Sequence, residues 1–254
     1  VSPVNRSVWV TGNAGAHIGH LSRGPKKAYA HGGESDEFDD VIVIDPLTDK
    51  IKARISVAPE THLAHVVLTP DSRFAYVTAQ NEGAIYKIDA QTFNIAKRIE
   101  TTKESEPHGL RISPDGKTGY IAMLKEKALG MIDLGTDTFT SLPLGGQAVQ
   151  TGITPDGRVV VVSLFDTKQI AAYRPTIFDA DKLIVTDLPP GSRGPIQMYP
   201  TPDSKYFYVA DQGYYFNQPE GSVVYKIDAE NGLVVKEIKA GRAPHGVVVS
   251  PDGK

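Results

Sequence analysis

The sequence predicts an all-β chain, a β-propeller of four-stranded antiparallel blades, on three observations. A Pro-Asp turn phrase recurs along the chain, a second phrase follows most copies of it, and helical periodicity is nearly absent. The first phrase stands at Pro70 (LTPDSRFAYVTA), Pro114 (ISPDGKTGYIAM), Pro155 (ITPDGRVVVVSL), Pro202 (PTPDSKYFYVAD) and Pro251 (VSPDGK), at spacings of 44, 41, 47 and 49 residues. A worn copy opens the chain at Pro3 (SPVNRSVWVTG). Six residues after the prolines come Trp9, Tyr76, Tyr120, Val161 and Tyr208. The second phrase is VIVID at Asp45, IYKID at Asp89, GMIDL at Asp133 and VYKID at Asp228; the third full unit has only the weaker match IAAYRPT.

Each unit reads as four strands in order. An apolar strand such as HGLRIS runs up to the proline, and the Pro-Asp-Gly turn reverses it, with proline fixing φ and Gly or Asp permitting the tight reversal. An alternating strand such as TGYIAM follows, then the strand ending in Ile-Asp, then a second turn. A polar strand such as IAKRIE or VVKEIK completes the unit. Four strands in about 40–45 residues make one blade. Residues 1–254 are therefore expected to form one propeller domain with rulers at Pro3, Pro70, Pro114, Pro155, Pro202 and Pro251. The N-terminal unit begins at its turn and lacks an innermost strand, which APHGVVVS near the end would supply. Two arrangements follow: five blades closed by strand exchange, or part of a larger ring of about seven blades. A chain opening on Val1 is expected to be either processed or a piece of something longer.

Composition excludes several classes. Net charge is −3 with the signs interspersed, so a nucleic-acid groove is not expected. No apolar run approaches the ~20 residues that span a bilayer. Without cysteine there is no thiolate metal site, disulfide or thiol nucleophile, a composition that suits an oxidising compartment. Gly116-Lys117-Thr118 lies in a β-turn phrase rather than between a strand and a helix, so it is no P-loop. No G-x-S-x-G or H-E-x-x-H motif occurs.

FAYVTA, FYVADQ and IYKID beside SPDGK resemble the YVTN family of propeller repeats, over essentially the whole chain. With Trp9 the only tryptophan, the WD repeat class is disfavoured. The resemblance implies a bacterial or archaeal protein that is periplasmic, secreted or at the cell surface. It leaves function open, because the family includes binding modules, surface-layer domains and relatives of amine-dehydrogenase heavy chains.

Propeller geometry gathers the candidate site residues at one end of the blades. Five or six residues before successive ruler prolines come His65, His108, Gln150, Gln197 and His245. His108, His245, Gln150 and Gln197, with Tyr214 and Tyr215 of an enlarged loop, are expected to contact a ligand. His17, His20 and His31, on a long Gly-rich loop, together with His62 and His65, are the candidate metal ligands, and neutral imidazole suits Zn²⁺ or Cu²⁺. Two pairs, His17/His20 and His62/His65, share a three-residue spacing that chelates on a turn or helix but not on a strand. The competing reading is structural: the histidine of a PHG phrase bonds backbone groups at the end of the innermost strand. The acidic run Glu34, Asp36, Glu37, Asp39, Asp40 reads as a solvated loop able to offer an oxygen ligand. Three functions follow in order: an extracytoplasmic module binding a small ligand, protein partner or metal; an enzyme or enzyme subunit, lactonase-like or an oxidoreductase heavy chain; and a structural surface-layer or adhesion module.

Overall fold

The computed structural model describes residues 7–12, 39–175, 182–214 and 218–253. Among them no α-helix occurs, and nineteen strands form five antiparallel sheets, one of three strands and four of four. Contacts divide the chain into two compact units, Val1–Glu106 and Pro107–Lys254.

The first unit holds two sheets. β1 (Val8–Gly12), β2 (Asp39–Asp45) and β3 (Lys50–Ala58) pair in that order, and β4 (Leu63–Leu68), β5 (Phe74–Ala79), β6 (Ala84–Asp89) and β7 (Ile95–Glu100) form the next blade. Trp9, Val41, Val43, Leu63, Val77, Tyr86 and Ile88 are buried in one cluster between them. Asp39 and Asp40 correct the sequence reading of a solvated loop, because they begin β2 and are buried. Asp39 Oδ2 accepts from Thr61 Oγ1 at 2.7 Å and from the His62 amide at 2.6 Å, and Arg54 Nη1 donates to Asp40 Oδ2 at 3.0 Å. The β2 ladder reaches two residues past the apolar VIVI core and takes the carboxylates in with it. Glu34, Asp36 and Glu37 lie outside the described residues.

The second unit holds three blades: β8 (Pro107–Ile112) to β11 (Thr138–Pro143), β12 (Ala148–Ile153) to β15 (Ile184–Asp187), and β16 (Pro195–Pro200) to β19 (Val234–Lys239). The intervening strands are β9 (Thr118–Met123), β10 (Ala128–Asp133), β13 (Val160–Leu164), β14 (Gln169–Tyr173), β17 (Tyr206–Gly213) and β18 (Glu220–Asp228). Among the first strands, β12 neighbours both β8 and β16, while the fourth strands are largely exposed. The second unit therefore carries its first strands innermost, as the apolar-to-polar order of the repeats predicts. Residues 244–250, expected as an innermost strand, form no strand.

Both repeated phrases are side-chain-locked turns. In the first, the Ser or Thr hydroxyl donates to the Asp two residues on: Thr69 to Asp71, Ser113 to Asp115, Thr154 to Asp156 and Thr201 to Asp203 at 2.6 Å, and Ser250 to Asp252 at 2.7 Å. In the first four the same carboxylate oxygen accepts the amide two residues further, as from Lys117 at 3.0 Å. The residue after the Asp takes positive φ: 56° at Ser72, 71° at Gly116, 74° at Gly157, 61° at Ser204 and 74° at Gly253. This is the left-handed conformation that glycine adopts without steric cost. In the second phrase Asp89 Oδ1 accepts from the amides of Gln91 and Thr92, and Asp133 Oδ1 from those of Gly135 and Thr136. A carboxylate that closes its own turn explains why Asp recurs while its neighbours vary.

Candidate functional site

The inner strands of the second unit bring three of the expected residues onto neighbouring elements. His108 on β8 places Nδ1 2.8 Å from the Val149 carbonyl oxygen of β12. A carbonyl only accepts, so Nδ1 carries the hydrogen of this bond. Beside Val149, Gln150 Nε2 donates to Gln197 Oε1 on β16 at 2.7 Å, and Gln150 Oε1 accepts from the Thr151 amide at 3.0 Å. Gln150 is fully buried. It acts as a tether that orients the half-buried Gln197, whose own amide nitrogen has no partner among the described residues.

The PHG phrase has a packing reason. A Cβ on Gly109 would lie 2.7 Å from the Gln150 Cα and 2.8 Å from the Val149 oxygen, so β12 approaches β8 only where the side chain is missing. Thr151 Oγ1 bridges the same junction by donating to the Tyr120 carbonyl at 3.2 Å, and Ser163 Oγ donates to the Ile196 carbonyl at 2.8 Å at the next one. The ladders of β8, β12 and β16 each break register at this level. These irregularities carry the one-residue slip between His108, six residues before its proline, and Gln150 and Gln197, five before theirs.

His245 follows β19 and approaches Gln212 Oε1 through Nδ1 at 3.3 Å; burial pushes its pKa down, which favours the neutral ring. Tyr214, half exposed at φ 58°, donates its amide to the Pro219 carbonyl at 3.2 Å. Tyr215 lies outside the described residues, as do His17, His20 and His31 of the metal reading. His62 and His65 belong to the first unit. His65 is within β4, with its amide donating to Thr78 Oγ1 at 2.9 Å, and His62 precedes the strand at φ 52°. The pair thus runs into a strand, not along a helix. Among the described residues no group of three or more His, Asp or Glu is placed to hold a metal ion.

Two further residues lie on the same inner strands. Arg111 and Tyr199 both stand three residues before a ruler proline, where Val67, Gly152 and Val248 occupy the other repeats. Arg111 Nη1 donates to the Leu110 carbonyl at 2.7 Å. Its burial disfavours the charged form, and the nearby Tyr199 phenol acts in the opposite sense. The signal was a single charge inside the apolar strand HGLRIS.

Two clefts open on the opposite, turn-bearing side of this unit. One, of about 540 Å³, is lined by Arg158, Arg174, Lys205 and Glu230 among others. The second, of about 440 Å³, includes Tyr120, Met131 and Tyr173. Arg158 Nε is already 2.7 Å from Asp156 Oδ2, and Lys205 Nζ 3.9 Å from Asp203 Oδ2.

No family model matches the chain, and no curated protein matches it. Solved structures do. A catalytically inactive virginiamycin B lyase from Staphylococcus aureus, bound to quinupristin, superposes with a TM-score of 0.67 at 15% identity, covering 81% of this chain and 66% of the lyase. A functionally unknown protein from Desulfotomaculum acetoxidans gives 0.68 at 17%, over 84% and 67% of the two chains. Kuenenia stuttgartiensis hydrazine synthase gives 0.54 at 20%, over 85% and 84%. The chain thus spans just under two thirds of the lyase's length. At these identities the likeness is one of fold: the protein is of the β-propeller class.

Proposed function

We propose that the chain is an extracytoplasmic binding module whose ligand is held by the innermost strands of the 107–254 unit. The observation that carries this reading is the Gln150–Gln197 pair. A fully buried glutamine spends its amide on aiming a second, half-buried one whose nitrogen the described residues leave without an acceptor. Polar groups on inner strands that are otherwise apolar fix the orientation of a ligand more readily than they serve the core. His108 supports the same reading as a polar ring on β8 held in place by its bond to the Val149 carbonyl of β12. The extracytoplasmic assignment rests on the YVTN-like repeat phrases and on the absence of cysteine. Among the described residues no helix is long and apolar enough to cross a membrane.

Ligand-observed NMR against a library of small polar fragments tests the proposal. Fragments with both an acceptor and a donor are expected to bind, and Gln197→Leu is expected to abolish their signals. His65→Ala, in the other unit, is expected to leave them unchanged. Fragments that bind equally well to Gln197→Leu, or no binding at all, would overturn it. The metal reading of His17, His20, His31, His62 and His65, with Zn²⁺ or Cu²⁺, stands beside this proposal as a separate one.

A further inference from the structure

Arg111 carries a charge that the described residues do not answer. Its one hydrogen bond is the 2.7 Å donation to the Leu110 carbonyl, and no carboxylate faces it among the described residues. Other cations of the same unit are paired: Lys127 with Asp166 at 2.7 Å, Arg158 with Asp156 at 2.7 Å and Arg242 with Glu220 at 2.7 Å. Those pairs lie in loops and on outer strands, where water would solvate the charge in any case. Arg111 instead belongs to an innermost strand, packed among β9 and β12. A guanidinium presents five N–H donors in a planar fork, and here one is used.

Tyr199 supplies the second observation. It occupies the same level of β16, three residues before its proline; its side chain is 37% exposed, and its hydroxyl has no partner among the described residues. Gly152 holds that level on β12 between them and contributes no side chain. A half-buried cation on an inner strand gains little without a counter-charge, and an exposed phenol on an inner strand adds little to the core. Together they offer two or more N–H donors and one O–H donor, all seeking oxygen acceptors.

We propose that Arg111 and Tyr199 form a binding site for an oxyanion, the carboxylate or phosphate of a small ligand, with the guanidinium fork donating to two of its oxygens and the phenol to another. The inference rests on the reading that the inner strands of this unit hold the ligand, and it adds the chemical class. The acceptor end of such a ligand sits at Arg111, and its other end runs along the inner strands towards His108 and Gln197.

Calorimetric titration of the full chain with inorganic phosphate, and separately with succinate, tests the inference at low ionic strength against matched sodium chloride. Saturable binding of at least one anion is expected. Arg111→Gln is expected to weaken it about tenfold to a hundredfold, as for loss of a charge-assisted bond, and Tyr199→Phe several-fold. Loss of succinate but not phosphate in Arg111→Lys would assign a carboxylate, since only the fork matches a planar acceptor bidentately. Retention of both in Arg111→Lys, with loss in Arg111→Gln, would assign phosphate. Absence of saturable binding by either anion, or unchanged affinity in Arg111→Gln, would overturn the site. Gln197→Leu separates the two proposals, because it removes fragment binding and leaves the isolated anion bound. Arg111→Met provides a readout without ligand: its melting temperature is expected to rise above that of the anion-free parent. A fall would make Arg111 a structural residue and overturn the inference.

Discussion

Replacing Ser72 by glycine is expected to stabilise the protein, and the size of the effect follows from the first turn phrase. Ser72 sits at φ 56°, where Gly116, Gly157 and Gly253 stand in three sister turns. A side chain in the left-handed region costs roughly 1–2 kcal/mol. The residue is also buried, at 5% exposure, and its hydroxyl has no hydrogen-bond partner among the described residues. An unpaired buried hydroxyl costs about 1–3 kcal/mol, and its removal recovers part of that. Against this, glycine loses about 0.5–1 kcal/mol of extra backbone entropy on folding. The net expectation is a gain of about 1–2 kcal/mol, or a rise of about 2–6 °C in melting temperature for a chain of this size. Ser204→Gly is the internal control. Ser204 has the same positive φ, but its hydroxyl accepts the Asp156 amide at 3.1 Å from the neighbouring blade, so the gain and the loss should nearly cancel. Thermal unfolding followed by circular dichroism measures both. Equal effects in the two variants, or a lower melting temperature for Ser72→Gly, would refute the account of the turn.

Further predictions concern packing, pH and metal. Gly109→Ala drives a Cβ against the Gln150 backbone and should cost about 1–3 kcal/mol, read as a lowered denaturant midpoint; an unchanged midpoint would mean that β8 and β12 are not in close contact. The carboxyls of Asp71 and Asp115 are held below the usual range, first by the Thr69 and Ser113 hydroxyls and then by the Arg73 and Lys117 amides. A group whose folded pKa is depressed contributes its full stability above its unfolded value, about 3.9, and loses it as pH falls through the folded value. The melting temperature should therefore hold from pH 7 to about 5 and fall below about 4, with a shallower acid limb and a lower neutral value in Asp115→Asn; identical acid limbs would contradict the assignment. The metal reading predicts near-stoichiometric zinc or copper by elemental mass spectrometry, lost when His17 and His65 are both replaced by alanine. Protein that stays metal-free after incubation with these ions would sink it.

The blades were legible because their turns are written locally. Ser-Pro-Asp-Gly makes its bonds within five residues, so every copy announces itself in the same words. The order of strands followed from the apolar first strand and the polar fourth, which the burial of β8 and β11 repeats. The candidate site was legible only as a level. His108, Gln150 and Gln197 stood out by their distance from the prolines, but their bonds join residues 41 and 47 apart across neighbouring blades. Which atom meets which depends on the register breaks of β8, β12 and β16, and no local phrase encodes those. The same dependence pairs Gln150 with Gln197. Asp39 and Asp40 looked like the end of an acidic loop because charge count says nothing of ladder length, and the ladder of β2 and β3 buries both.

The measurement that bears most directly on the central claim is a crystal structure of the protein soaked with the tightest-binding polar fragment. The account predicts the fragment against the inner strands of the 107–254 unit, with an acceptor at hydrogen-bond distance, about 2.7–3.2 Å, from Gln197 Nε2. A fragment seated instead in the clefts beside Arg158 or Tyr173, with the Gln150–Gln197 pair undisturbed and facing only water, would contradict it.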